Sequence, residues 1–429
     1  MSVFFTSAYA VLWLFVLTIP AEKLIMVPGF GSLSKLVGFA AVGVGAFAIL
    51  MDRRIRVPKG FHTALAVFIL WCAFTMRWTV AQDLDVSLGY TYYRLNTYLQ
   101  LFALVMLIWQ FADTEKRVHG LMNAYLIGTM VPAIGTIRNY LSHTESRYYQ
   151  RYSLDNTEPN DLALVLAISL PLAYYLFLRH RGPKSLLYLL QMAAAAATIF
   201  LTASRSGTVA MCVALSMVLW TIRELTPRMR VGVAMAGVLL VAGGVALVPA
   251  TSWKRLATLG AEVSSGSFNR RSEIWKEGWT GFTKHPLGGV GIGAFPDSVT
   301  SLFGHPRTPS EFTPVAHNTY YSILVETGVI GFVLFVVVLA VLVYYLRRMP
   351  GLARPAWITT MAVFGLGVMS LSWDDRKPMW FLFALLAAHY GATRATVQTR
   401  ARTLAPTSAD WPTRARSYAP AMPPRELVS

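Results

Sequence analysis

Gly328-Val329-Ile330-Gly331-Phe332-Val333-Leu334-Phe335-Val336-Val337-Val338-Leu339-Ala340-Val341-Leu342-Val343-Tyr344-Tyr345-Leu346 runs without one charged residue and ends on Arg347-Arg348. As a helix rising about 1.5 Å per residue, such a run is long enough to cross a hydrocarbon layer about 30 Å thick. Apolar blocks of about 17–24 residues recur on both sides of it. They fall near 4–20, 33–51, 61–81, 96–112, 118–137, 161–178, 185–201, 206–222, 231–249, 318–346, 356–372 and 379–393. Of 429 residues, 55% are hydrophobic and only 14% charged, where a soluble protein carries about 25% charged residues. A cytosolic enzyme, a secreted disulfide scaffold and a disordered chain are excluded. Cys72 and Cys212 both sit inside apolar runs, so neither a disulfide nor a zinc site is expected. No Lys or Arg precedes the first apolar stretch, which therefore reads as a membrane helix rather than a cleaved signal.

The expectation is an all-α polytopic membrane protein with about twelve transmembrane helices and one large outer helical insert. Residues 1–249 hold the first nine spans, 250–317 the insert, 318–399 the last three spans, and 400–429 a disordered cytoplasmic tail rich in Ala, Pro, Thr and Arg. Sorting the loops by parity puts fifteen Lys and Arg in five short loops on one side, from Arg53/Arg54/Arg56/Lys59 to Arg347/Arg348/Arg354. That side is the cytoplasm by the orientation bias of basic residues, with both termini there. Much of the net charge of +17 is then topological, and no nucleic-acid partner is implied. Membrane lipid is the surrounding partner.

Basic residues left on the outer side need a reason. They are Arg138, Arg147, Arg151, Arg205, Arg270, Arg271, Lys276 and Lys284. An anionic ligand at the outer boundary, with phosphate the obvious chemistry, is the cheapest one. Within the insert, Arg271–Phe282 places Ile274, Trp275, Gly278, Trp279 and Phe282 on one helical face. That pattern suits either a membrane–water interface or the core of a small outer domain. Pro286-Leu287-Gly288-Gly289-Val290-Gly291-Ile292-Gly293 reads as a tight turn bringing backbone close to something, because no strand–turn–helix frames it as a nucleotide fingerprint. His317 stands at a helix start beside the outer arginines, where a helix N-terminus disfavours the imidazolium and keeps the ring fit to accept a proton. A structural or solvated histidine has the same signature. Asn160 and Asp161 either cap the helix that follows or bind sugar hydroxyls. Asp83 and Asp85 are the only metal candidate and lack companion ligands, so no metal and no cofactor is expected.

Four blocks, in order, resemble the O-antigen ligase and polymerase superfamily of bacterial envelope enzymes. His317-Asn318, nine residues, Gly328, two residues and Gly331 is similar to the ligase signature of a histidine–amide pair followed by spaced glycines. Thr202-Ala203-Ser204-Arg205-Ser206-Gly207 resembles the superfamily's T-x-S-R-x-G turn. Arg271-Ser272-Glu273-Ile274-Trp275 with Pro286, Gly289, Gly291, Gly293 and Phe295 resembles its arginine–tryptophan and glycine block. Glu158-Pro159-Asn160-Asp161-Leu162-Ala163 is similar to its D-P-N-D-L-A stretch, with Glu in place of the first Asp. The resemblance runs from about 155 to 335; residues 1–130 and the tail carry no matching motif.

The resemblance implies transfer of a glycan from undecaprenyl pyrophosphate to a sugar hydroxyl of lipid A–core at the periplasmic face of the bacterial inner membrane. It makes His317 the general base and puts Arg205 and Arg271 on the pyrophosphate. Arg138 and Arg147 join them on the outer-charge argument alone, and Asn318, Asn160 and Ser204 are supporting residues. The pyrophosphate already activates the anomeric carbon, so no nucleotide is required, and direct attack inverts that centre. An O-antigen polymerase or a protein O-oligosaccharyltransferase would share the donor site. A transporter of lipid-linked sugars is disfavoured by the absence of internal repeats and by ionisable residues lying at the boundary rather than midplane.

Overall fold

The computed structural model describes residues 2–29, 31–79, 84–145, 151–154, 157–180, 182–247, 253, 271–299, 302 and 314–404. Among these the chain is helical, apart from turns and a two-residue antiparallel pair, β1 (Met26–Val27) with β2 (Gly31–Ser32). The helices are α1 (Val3–Thr18), α2 (Leu33–Asp52), α3 (Gly60–Thr75), α4 (Leu84–Phe111), α5 (Glu115–Leu141), α6 (Pro159–Arg179) and α7 (Leu186–Leu201). They continue with α8 (Arg205–Thr221), α9 (Pro227–Leu247), α10 (Arg271–Lys284), α11 (Thr319–Arg347), α12 (Ala353–Gly367) and α13 (Lys377–Leu404).

Each apolar stretch expected to span falls on one of these helices, and α10 falls within residues 250–317. Among the described residues seven helices are long and apolar enough to cross a membrane: α1, α2, α3, α5, α6, α8 and α11. Two boundaries differ most from expectation. Helix α4 begins at Leu84 rather than near 96, because a polar lead carrying Tyr90, Tyr92, Tyr93 and Arg94 continues the helix beyond its apolar part. Helix α13 runs on to Leu404, past the expected boundary at 399; residues 405–429 lie outside the described residues.

Helix α6 is the hub. Every residue from Leu162 to Phe177 is buried, as an all-round apolar helix requires, and it packs against α5, α7, α8 and α12. Close approach of α8 depends on Gly207, where a Cβ would lie 2.4 Å from the Ala163 methyl.

Helix α11 is broken. Gly328 has φ 68° and ψ −173°, a region that is essentially glycine-only. The glycine-rich stretch fills the gap. Val290 N donates to Val325 O and Gly291 N to Glu326 O, both at 2.9 Å. In return Val329 N donates to Pro286 O at 2.9 Å and Ile330 N to Leu287 O at 3.3 Å. The freed helix groups are thus paired with backbone, which a non-aqueous surrounding demands. The turn expected at 286–293 therefore does bring backbone close to something, and that something is α11. The Thr75 hydroxyl at the end of α3 accepts from Ile292 N at 3.1 Å, and the Trp71 indole donates to Thr327 O at 2.9 Å. Around the stitch a separate apolar cluster forms from Ile274, Phe282, Val290, Phe295, Val299, Ala316 and Val325. Ile274, Gly278 and Phe282 of α10 thus face a local core, while Trp279 is exposed.

Candidate functional site

His317 sits where α10 meets α11. The Trp275 indole N–H donates to Ala316 O at 2.8 Å, and the Tyr321 hydroxyl donates to Trp275 O. Asn318 caps α11 by accepting from Tyr321 N at 3.1 Å. Held from both sides, His317 takes φ 50°, a left-handed conformation that histidine tolerates better than most residues. Its ring is half-buried. Burial, then the Arg271 guanidinium, lowers its pKa to about 4, against an opposing pull from Asp161. The ring is therefore neutral near pH 7, with one nitrogen able to accept a proton.

Asp161 is reached from the other direction. Its N–H is capped by Glu158 Oε2 at 2.7 Å, so the cap of α6 is Glu158, and neither Asn160 nor Asp161 serves in that role. Asn160 instead links Glu158 Oε1, to which it donates at 2.5 Å, with Arg151, from which it accepts at 3.3 Å. Asp161 Oδ1 accepts from the Trp373 indole at 2.8 Å, and its Oδ2 lies 3.9 Å from Lys23 Nζ. Trp373 N in turn donates to Thr319 Oγ1 at 2.8 Å. Trp373 thus ties the first turn of α6 to the first turn of α11.

Arg205 opens α8, half-buried, directly after Ala203 (φ 48°) and the Ser204 cap, whose hydroxyl accepts from Gly207 N at 3.1 Å. The starts of α6 and α8 meet at Ala163 and Gly207. Four helix N-termini, those of α6, α8, α10 and α11, are joined in this way, and helix N-termini favour anions. Of the two further arginine expectations, one falls on a described residue and is not gathered in. Arg138 is exposed at the last turn of α5, and none of the described contacts carries it to His317. Arg147 lies outside the described residues, as do Arg270 and Asp83; of Asp85 only its place in α4 is described.

Reasoning from sequence missed the residues that buttress this end. Arg94 pairs with Glu326 at 3.5 Å, Asp374 at 3.1 Å and Asp375 at 3.0 Å. Glu326 Oε2 also accepts from Gly293 N at 3.1 Å, and the Tyr98 hydroxyl donates to Asp374 Oδ2 at 3.0 Å. One guanidinium therefore links α4, the broken part of α11, the glycine stretch and the α12–α13 connection. The run Trp373-Asp374-Asp375-Arg376-Lys377 was the available signal, since it packs charge into a short connection between two apolar blocks.

Residues 190–336, from α7 to partway along α11, match the family model described as O-antigen ligase. That match supports the O-antigen ligase superfamily. The matched segment contains Ser204, Arg205, Arg271, the glycine stretch, His317 and Gly328, whereas Arg94, Asp161 and Trp373 lie outside it. Among curated proteins no match is found. The family supports an O-antigen ligase or polymerase type of function, hence a glycosyltransferase-like enzyme working on lipid-linked glycans in a membrane.

Proposed function

We propose that the chain is an O-antigen ligase that moves a glycan from undecaprenyl pyrophosphate to a sugar hydroxyl of lipid A–core. Its site would face the periplasm, in a protein crossing the inner membrane about twelve times. The observation that carries this reading is the half-buried His317 held where α10 meets the start of α11, within electrostatic reach of Arg271 and Asp161. In the reaction His317 accepts the proton of the acceptor hydroxyl while that oxygen bonds to the anomeric carbon. The bond from that carbon to the pyrophosphate oxygen breaks, and the configuration inverts. Arg205 and Arg271, at two of the four helix starts, offset the charge growing on the departing undecaprenyl pyrophosphate. Asp161 then steadies the imidazolium that has formed.

The test is transfer by the purified, reconstituted protein with a lipid-linked glycan donor. His317→Gln keeps a hydrogen-bonding side chain but takes no proton, so turnover should fall about 10²–10⁴-fold with donor binding retained. Ordinary turnover in a folded Gln variant would remove His317 from the chemistry. Product on lipid A–core marks a ligase, product on a second lipid-linked glycan a polymerase, and product on a Ser or Thr peptide a protein transferase. A chelator should leave the rate unchanged; loss restored by Mg²⁺ would reinstate a metal.

A further inference from the structure

We propose that the acceptor lipid reaches His317 through a groove between α2 and α4, apart from the start of α8 that carries Arg205, an inference that rests on the transferase reading above. The groove holds about 340 Å³. Phe39 and Val42 of α2 and Leu99 of α4 line it and are exposed at its mouth. Its floor is Gly38, where a Cβ would lie 2.8 Å from the Phe15 ring. These walls suit hydrocarbon chains that slide in from the bilayer.

The top of the groove is charged. Lys35, Arg376 and Lys377 line it together with Glu22 and Asp375. The two acids are already engaged: Glu22 by Lys377, and Asp375 by Arg376 at 3.5 Å and Arg94 at 3.0 Å. Among the described residues the Lys35 ammonium has no acidic partner and lies only over the Phe39 ring, at 6.0 Å. A lipid with phosphate at its head complements that rim.

A second cavity of about 150 Å³ adjoins the groove. Tyr93 and Asp375 line both cavities, and the second is walled further by Tyr90, Phe295, Ser322 and Ala316, the neighbour of His317. Its Ser372 hydroxyl is buried and finds no hydrogen-bond partner among the described residues. Aromatic faces with scattered hydroxyl, guanidinium and carboxylate groups are the chemistry that holds a sugar ring. Tails in the groove, phosphate by Lys35 and sugar beside Ala316 therefore describe one amphiphile, an acylated and phosphorylated saccharide. The donor fits this track less well. Arg205 stands on α8, which packs on α6, α7 and α12, whereas α2 packs on α1 and α4, so of the two donor arginines only Arg271 lies near the track's inner end. Two membrane-anchored substrates that must meet head to head need separate mouths.

Binding is read without turnover by a photoreactive benzoylphenylalanine in place of Leu99, in the full chain held in nanodiscs of phosphatidylglycerol doped with lipid A–core. Capture should be enriched in the saccharide lipid over phosphatidylglycerol. Lys35→Glu should lower capture and raise the acceptor KM about tenfold, the scale of one lost charge-assisted contact, with the donor KM unchanged. Ala103→Trp, which fills the groove, should do the same; if it does not fold, Lys35→Glu decides alone. Capture no richer than phosphatidylglycerol, capture of the donor, or a rise in the donor KM instead would overturn the assignment. Transfer that persists with the label elsewhere sinks the groove alone, and enriched capture without any transfer sinks the ligase reading alone.

Discussion

A base must be unprotonated when its substrate arrives, and His317 meets that condition over a wide range because its pKa is lowered to about 4. The acid limb of kcat/KM should therefore lie near that value rather than near the ordinary 6.5. Arg271→Gln removes a positive neighbour, so the pKa rises and the limb moves to higher pH, while Asp161→Asn moves it the other way. A limb that ignores both changes would assign the base elsewhere. The same depression carries a stability sign. Between about 6.5 and 4 the unfolded histidine binds a proton that the folded one refuses, so stability is full above that window and declines as pH falls through it. At this scale the sequence marks His317, Arg205 and Arg271 by motif, but not the partners the fold brings to His317, since Trp275, Arg271 and Asp161 are all distant in sequence. Ser204 and Asn318 turned out to be caps for α8 and α11, which a single sequence does not separate from ligand contacts.

Between elements, the seam of α11 with the glycine stretch is the sharpest target. A Cβ at Gly328 would lie 2.2 Å from Leu287 O, and one at Gly289 2.5 Å from Glu326 backbone. Gly328→Ala should cost about 1–3 kcal/mol from its backbone conformation alone, before any clash is counted. The readout is the melting temperature in detergent, with expression of the intact chain as control; an unchanged melt would show that the seam bears little weight. Arg94→Ala should be at least as damaging, about 3–5 kcal/mol, because it leaves three carboxylates without their shared cation. Hydropathy placed α11 correctly and was blind to its break, since a positive φ leaves no trace in apolar length. Arg94 escaped notice for a related reason. Its partners come from α11 and the α12–α13 connection, far along the chain, and nothing local marks a buried ion cluster.

For the whole molecule, the apolar blocks were the most legible feature, because length and lack of charge are local properties and every expected block lies on a helix. Sidedness rests on the charge of the loops and is open to direct measurement. Ser267→Cys, in the 250–317 connection, should react with an impermeant thiol reagent in intact spheroplasts after Cys72 and Cys212 are replaced. Labelling that appears only after lysis would invert the topology. The way remote connections converge was not readable. Trp373 touches both Asp161 and Thr319, and only the packed bundle brings those three together.

The break in α11 also dictates an order of manufacture. Synthesis runs from the N-terminus, so residues 286–293 leave the ribosome before the segment they are stitched to. Until Val325 and Glu326 arrive, the amides of Val290 and Gly291 have no partner in the chain, and afterwards the carbonyls of Pro286 and Leu287 receive Val329 and Ile330. Lipid cannot satisfy such groups, so the loop must wait in water or against the translocation machinery and close late.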